Sequence, residues 1–559
     1  MTENAIVECV PNFSEGKDRE KIDAIADAIR GVAGIKLLDI DPGADTNRTV
    51  YTFVGSPAAI VEGALVGARA ARSLIDMSVH AGAHPRIGAL DVCPFVPVSG
   101  ISMGECAELA RRFGKSLAEE FGVPVYLYEK AATKASRASL ASIRSGEYEG
   151  LAAKLRDSEW LPDFGPASFD PRWGATVTGA RQFLVAYNVN LNTTDKKIAH
   201  DIALSIRESG RLAKNPDGRT AIDAAGNPCR IAGRLKAVRA IGWYIERYHC
   251  AQVSVNLLDY TVTPLYEVFE TISEEAEKRG VKVTGSELVG LIPLKAIADC
   301  GRHFLEKIGK SPALSDRELA EVAAQTMGLR SVSAFDPERK VVEWAFEGPA
   351  KLASLSVRDF ADEVSRDSPT PGGGSVAALA GSMGAALAAM VGNLTSGKKG
   401  YEDSRSALIS MAIAAQATKS ALLNLVDKDT QAYESVIEAL RLPKATDAQK
   451  ELRRKKLNDA NRRATLIPLD TARSCLEAMR HCLVAVEKGN KNSVTDGAVG
   501  ALVARAGLEG ALLNVRINLL GIEDKDFSSS LEKEAASLKQ ESDILIAEVL
   551  VCLEKTLGA

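Results

Sequence analysis

From the N-terminus to about residue 130, the apolar positions switch repeatedly between a period of two and a period near 3.6. Ala5–Val10, Ile35–Asp41, Thr49–Gly55, Ile87–Phe95 and Pro124–Tyr128 carry the strand spacing, and Asp18–Arg30, Pro57–Met77 and Ser102–Phe121 the helical one. That alternation predicts helices packed on a sheet. A polar, Arg-rich helical connector follows (Ala131–Trp160), then the Gly- and Pro-rich Pro162–Arg181. A second unit of the same character begins there. Its strands are Gln182–Leu191, with FLVAYNVNL at the centre, Ala251–Tyr260 and Val281–Val289. Its helices are Asp195–Ser209, Pro264–Arg279 and Pro293–Ile308. Two subdomains of similar length imply a cleft between them, a common place for a ligand.

The pattern changes near residue 330. Ser331–Lys351 predicts a short strand, Val341–Trp344, ahead of Gly348-Pro349, and reads as a linker or docking strand. From Leu355 onward strand signals nearly vanish, and Ala- and Leu-rich helical spacing predicts six or more helices. Ala377, Gly381, Ala385 and Ala389 recur at every fourth position, a flat helix face suited to a core or an interface. The expected architecture is multidomain: two α/β (α+β sandwich-like) subdomains over 1–180 and 181–328, a linker over 329–354, and an all-α domain over 355–559.

A chain of 559 residues exceeds one hydrophobic core, consistent with several domains. A net charge of −4, 5% aromatics and no basic run interleaved with aromatics argue against a nucleic-acid partner. The nine cysteines form no C-x-x-C pair, and their odd number fits reduced thiols in a cytosol. MTENAIVECV carries no signal-peptide pattern, so a cytoplasmic location is expected. Between Asp367 and Lys398 no residue is charged, a span long enough to cross a bilayer. Its Gly, Ala and Ser content favours a buried helix instead, and no membrane span is expected.

Candidate chemistry gathers in Asp76–Val98. This stretch holds His80 and His84, two of the six histidines, with Asp76, Arg86, Asp91 and Cys93 around them. The histidines sit on a Gly- and Pro-punctuated loop just before a strand, a usual setting for proton transfer. For either histidine alone, a turn whose imidazole bonds the backbone is an equally good reading.

The residues HAGAHPRIGALDVCPFVPV (His80–Val98), IVECVPNFSEG (Ile6–Gly16), DPGADTNRTVYTFVG (Asp41–Gly55) and PDFGPASFDPRWGATVTGAR (Pro162–Arg181) resemble the transferase part of the formimidoyltransferase-cyclodeaminase family. These are folate enzymes of histidine degradation, and the resemblance continues past residue 350. It implies transfer of a one-carbon imine from glutamate nitrogen to N5 of tetrahydrofolate. The attacking nitrogen loses a proton and the departing one gains it, work suited to one group titrating near neutrality. His84, in its HPR context, matches the family's catalytic histidine, with His80 as the spare candidate. Asp39 and Asp41 can supply a carboxylate to the amidinium-like carbon, and Arg48 and Arg86 a bidentate fork for substrate carboxylates, or else ordinary salt bridges. Asp163, Phe164, Gly165, Pro166 and Trp173 fall in the segment that resembles the family's folate-binding stretch, for which a rigid connector is the alternative.

In the helical part, TPGGGSVAALAGSMGAALAAMVGNLTSGKK (Thr370–Lys399) resembles the start of the cyclodeaminase domain. It follows no strand and lacks the Walker spacing, so a nucleotide site is rejected. NLVDKDTQAYESVIEALRLPK (Asn424–Lys444) contains Asp429, which matches the family's proposed catalytic aspartate, and Asp427, two residues away on another helix face. Within Gly489–Leu519, Asp496 is expected to cap a helix and Arg516 to bind a folate carboxylate. Lys398-Lys399-Gly400 stands where the family often has three lysines, a difference that bears on recognition of an oligoglutamate tail.

The leading expectation is therefore a bifunctional enzyme, a glutamate formimidoyltransferase joined to a formimidoyltetrahydrofolate cyclodeaminase. Its substrates are N-formimidoyl-L-glutamate and tetrahydrofolate, the polyglutamylated form included, with no metal, and it forms a homo-oligomer with dimers through the helical domain. A second reading leaves only the transferase half active, the helical half being a methenyltetrahydrofolate cyclohydrolase-like or assembly module. A structural scaffold is disfavoured by the presence of His84, Arg86 and Asp429.

Overall fold

The computed structural model describes residues 5–44, 46–82, 85–223, 226–347 and 352–558. The chain forms two compact units, residues 1–300 with 323–348, and residues 301–322 with 349–559.

In the first unit, an N-terminal subdomain runs β1 (Ile6–Cys9), β2 (Asn12–Phe13), α1 (Arg19–Arg30), β3 (Ile35–Gly43), β4 (Arg48–Gly55), α2 (Pro57–Leu74), β5 (Leu90–Ser99), α3 (Met103–Phe121), β6 (Val125–Glu129), α4 (Leu140–Arg144), α5 (Glu147–Lys154) and β7 (Thr176–Ala180). The strands make one seven-stranded sheet: β3 on β4, then β1 and β2 side by side in the next place, then β5, β7 and β6. β5, β7 and β6 are parallel; the other pairs are antiparallel. The helices start where capping chemistry allows. Asp18 caps α1, Ser56 precedes Pro57 of α2, and Ser102 forms a capping box with Glu105 on α3. Ile22, Ile25, Ala26 and Ile29 of α1 face Phe13, Tyr51 and Phe53 in the core.

The second subdomain contains β8 (Val185–Leu191), α6 (Lys196–Ile206), β9 (Arg211–Leu212), β10 (Arg230–Ile231), β11 (Val238–Ile245), β12 (Cys250–Leu257), α7 (Leu265–Glu277), β13 (Val283–Val289), the start of α8 (Leu294–Lys307), the end of α9 (Asp316–Thr326), α10 (Pro337–Lys340) and α11 (Val342–Glu347), residues 301–322 of α8 and α9 falling in the second unit. Its antiparallel sheet has the order β11-β12-β8-β13. β7 and β11 were not legible as strands, because Gly179 interrupts one and Arg239 and Gly242 the other. The expected strand Val341–Trp344 is corrected: only Val341 bridges, to Ile292, and Val342 begins a helix. Asp336 and Pro337 start a helical turn just upstream, and the buried pair Val341-Val342 suits one side of a helix as well as a strand.

The second unit is built on α12 (Val357–Val364), α13 (Gly373–Ser396), α14 (Arg405–Arg441), α15 (Asp447–Lys488), α16 (Val494–Leu519) and α17 (Lys525–Leu557). α13 is central and packs on α14, α15 and α16. Its small-residue face is core, with Ala377, Gly381, Ala385 and Ala389 all buried. Residues 301–322 belong to this unit, whereas the sequence bounds put them in the second subdomain. Asn393 Nδ2 and Gln416 Nε2 both donate to the Ala313 carbonyl, at 2.8 and 3.2 Å, and Ser311 Oγ donates to Asn393 Oδ1. Among the described residues, three helices, Gly373–Ser396, Glu402–Arg441 and Lys491–Leu519, are long and apolar enough to cross a membrane by length and composition.

Candidate active sites

The loop expected to carry chemistry in the first unit is tied to the β3–β4 turn. Asn47 adopts φ 48° in that turn. Its side chain accepts the Gly16 N–H and donates to the Ala81 carbonyl at 2.9 Å. The two loops lie so close that a Cβ on Gly82 would fall 2.3 Å from the Thr46 carbonyl oxygen, and only glycine fits. His80 closes the junction, with Nε2 2.9 Å from the Asn47 carbonyl and Nδ1 accepting Arg86 Nε–H at 3.3 Å. These partners assign the proton to Nε2 and leave neither ring nitrogen spare. Burial, opposed by the Asn47 bond and reinforced by Arg86, pushes the His80 imidazole below its usual range, so it is neutral.

Arg86 is buried and its fork is already filled. Nη2 and Nη1 hold Glu149 at 2.8 and 3.0 Å, and Nη1 reaches Glu147 at 3.4 Å. The Arg86 bonds hold the Glu149 carboxyl below the usual carboxylate range. Glu147 (φ 53°) follows Gly146 (φ 86°), and this left-handed pair turns both glutamates toward the loop. His80, Ala81, Gly82, Arg86, Gly146, Glu147 and Glu149 line a cavity of about 500 Å³, a size suited to a small-molecule ligand. His84 lies outside the described residues; Gly82 and Arg86 on either side of it line this cavity. Glu147, Glu149 and Asn47 were missed from sequence. The glutamates sit in what reads as a polar connector, and Asn47 in an ordinary turn.

The other transferase candidates are dispersed. Asp39 and Asp41 are exposed on β3, the outermost strand, opposite Thr52 and Val50. Arg48 is half-buried, and burial lowers its pKa first, with Arg144 adding to this and Asp91 and Asp41 opposing it. The folate-segment expectation is corrected for two side chains. Trp173 is wholly enclosed in the core, its Nε1–H donating to Thr176 Oγ1 at 3.0 Å, so it walls no ligand. The Asp163 carboxylate is consumed internally by Leu127 N–H, Thr133 and a buried pair with Arg137 at 3.2 Å. Phe164 lines a different cavity, of about 630 Å³, with Leu109, Arg112 and Lys115 of α3. Gly165 (φ 79°) and Pro166 continue that turn at the surface.

In the helical unit the two aspartates separate cleanly. α14 runs unbroken through both, so residues two apart point about 200° from each other. Asp427 accepts the N–H groups of Leu352 and Ala353 at 2.8 and 3.3 Å. Asp429 lies against the first turn of α13, where Ser375 Oγ is 3.1 Å from its Oδ2. A Cβ on Gly374 would fall 2.1 Å from Asp429 Oδ1, so the glycine makes room for the carboxyl. Burial pushes the Asp429 carboxyl above the usual range, against hydrogen bonds from the Ser375 side chain and backbone. Asn514 of α16 stands beside Gly373, whereas Arg516 lies on the exposed side of that helix. Ser493 occupies the N-cap position of α16 without a side-chain capping bond, and Asp496 lies in the first turn, not at the cap where it was expected.

Comparison with known proteins matches three family models in series. These are the formiminotransferase domain, N-terminal subdomain, over residues 6–181; the formiminotransferase domain over 186–347; and formiminotransferase-cyclodeaminase over 356–537. The chain is 46% identical over 558 residues to a formimidoyltransferase-cyclodeaminase of Mus musculus, covering 98% of this chain and 99% of that protein. A glutamate formimidoyltransferase of Streptococcus pyogenes is 42% identical over 301 residues, 54% of this chain and 93% of the relative. A methenyltetrahydrofolate cyclohydrolase of Methylorubrum extorquens is 38% identical over 190 residues, 34% of this chain and 91% of the relative.

Proposed function

The chain belongs to the formimidoyltransferase-cyclodeaminase family, and on that premise we propose that it works in histidine degradation as two linked folate enzymes. The first unit moves the formimidoyl group from N-formimidoyl-L-glutamate to N5 of tetrahydrofolate. The helical unit then closes 5-formimidoyltetrahydrofolate to 5,10-methenyltetrahydrofolate and releases ammonia. The observation that carries this is a match running through both halves over 98% of the chain.

In the transferase, His84 takes the N5 proton and returns it to the departing glutamate nitrogen. His80 does not compete for this role, since both of its nitrogens are held. His80 instead orients Arg86, and Arg86 with Glu147 and Glu149 shapes the cavity wall. In the helical unit, Asp429 exchanges the proton at the reacting carbon. Its burial supports that role, because a lifted carboxyl holds a proton more readily near neutral pH. Asp427 is a structural anchor. Linking the sites raises the local concentration of a labile product.

The similarity to a cyclohydrolase favours one further reading, in which the helical unit uses water where the leading reading has ammonia. Purified chain supplied with N-formimidoyl-L-glutamate and tetrahydrofolate separates them. Methenyl absorbance with stoichiometric ammonia supports the bifunctional reading; transfer without ammonia favours the alternative. The enzyme is cytoplasmic, needs no metal, so activity survives a chelator, and accepts polyglutamylated folate. It is a homo-oligomer through the helical unit, a reading supported by the exposed Val376, Met383, Met390 and Leu394 on the charge-free α13.

A further inference from the structure

We infer that Ser375 is a positioning residue of the helical site, a hydroxyl rotor that keeps the Asp429 carboxyl hydrogen-bonded in both of its protonation states. The inference rests on Asp429 being the group that exchanges the proton. Ser375 is fully buried in the first turn of α13. Its Oγ lies 2.9 Å from the Val426 carbonyl, 3.1 Å from Asp429 Oδ2 and 3.4 Å from Thr430 Oγ1. One hydroxyl proton therefore has two strong acceptors on the same helix. When Asp429 is ionised, the hydroxyl donates to Oδ2, beside the Ser375 backbone N–H. When Asp429 is protonated, its O–H donates to Ser375 Oγ and the hydroxyl turns to Val426. The Val426 carbonyl tolerates losing that bond, because within α14 it also accepts the N–H four residues on.

The chemistry needs both states. The substrate enters as N5–CH=NH₂⁺ with N10–H. As N10 bonds to the carbon, Asp429 takes the N10 proton. It then delivers that proton to the amino nitrogen; the C–N bond breaks and its electron pair leaves with NH₃. The N5–CH–N10 methenyl cation remains, so hydrogens and charge balance and Asp429 ends as it began. A buried carboxyl that changes charge without a partner in one state would carry an unsatisfied polar group through half of each cycle. Rotation of one hydroxyl removes that penalty with no heavy-atom movement. α13 has no ionisable residue from Gly373 to Ser396, Asn514 of α16 is neutral, and on α14 Asp427 is turned to Leu352 and Ala353. Burial raises the Asp429 carboxyl, and the Ser375 side chain and backbone N–H oppose it.

The test is the pH profile of kcat for methenyl formation by the full chain from supplied 5-formimidoyltetrahydrofolate, with far-UV circular dichroism melting as the check on folding. Ser375→Ala is expected to lower kcat about tenfold and to move the limb governed by Asp429 up by about one pH unit. Ser375→Thr, which keeps a hydroxyl, returns the limb toward the parent. Should alanine unfold the bundle, Ser375→Cys, a weak donor of similar size, carries the same expectation. Asp429→Asn separates the two levels. If it keeps its activity, the Asp429 reading falls and this inference with it. If it is inactive while Ser375→Ala leaves the limb in place, or Ser375→Thr leaves it displaced, the rotor alone is overturned.

Discussion

The two candidate sites hold their titratable groups in opposite ways. The transferase cavity is a loop site crowded with charge, in which Arg86 is met by Glu149 and Glu147 and His80 is locked between Asn47 and Arg86. The helical site holds one carboxyl over the first turn of a helix without a charged residue, and burial shifts its titration. In the first unit the hydrogen bonds between short loops fix the orientation of the His80 imidazole, and through it of Arg86. A carboxyl titrates some three units too low, so it must be desolvated, which a packed bundle provides.

That contrast breaks most sharply with paired substitutions. Asp429→Asn is expected to reduce methenyl formation by about 10²–10⁴-fold while transfer continues, so that 5-formimidoyltetrahydrofolate accumulates. His84→Ala should do the reverse, losing transfer on the same scale while converting supplied 5-formimidoyltetrahydrofolate normally. His80→Ala should cost transfer less than His84→Ala. A two-wavelength assay following the steps separately reads all three. A methenyl loss greater in Asp427→Asn than in Asp429→Asn would move the catalytic role to the neighbour.

Stability should sharpen the comparison next. A carboxyl whose folded pKa is raised adds stability below its unfolded value, and that stability is lost as pH rises through the folded value. Asp429→Asn should therefore melt at or above the parent temperature at neutral pH, the difference vanishing near pH 3. A variant less stable than the parent at pH 7 would contradict the burial argument. Glu149→Gln tests the other site. Because Glu149 is largely exposed, its pair with Arg86 is screened, and about 1 kcal/mol or less should be lost. The larger effect should appear as a raised KM for formimidoylglutamate, since Arg86 is freed to move. Smallest is Asp427→Asn, which weakens two hydrogen bonds to Leu352 and Ala353 and should lower the melting temperature slightly at unchanged kcat.

Cleavage within 349–354 probes the units themselves. It leaves residues 301–322 on the transferase fragment and strips Ala313 from Asn393 and Gln416. The helical fragment starting there should melt lower than one carrying 301–322 in trans. Equal melting of the two would remove that segment from the helical unit.

Much of this was legible along the chain. The period of apolar residues is a local property, so the helical stretches read from Asp18, Pro57 and Ser102 begin within one residue of α1, α2 and α3. The helical phase of Asp427 and Asp429 was also readable, because two residues on one helix must diverge. Long collinear motifs carried the family. What only the tertiary structure decided is non-local. Trp173 and Asp163 look like ligand contacts in a Gly- and Pro-rich loop, yet Thr176 in the core holds one and Arg137 the other. Glu147 and Glu149 lie more than sixty positions from Arg86, and Ser375 is fifty-four positions from Asp429. Spacing along a chain encodes which face a residue takes on its own element. The partner across the gap is set by packing, which no local period records.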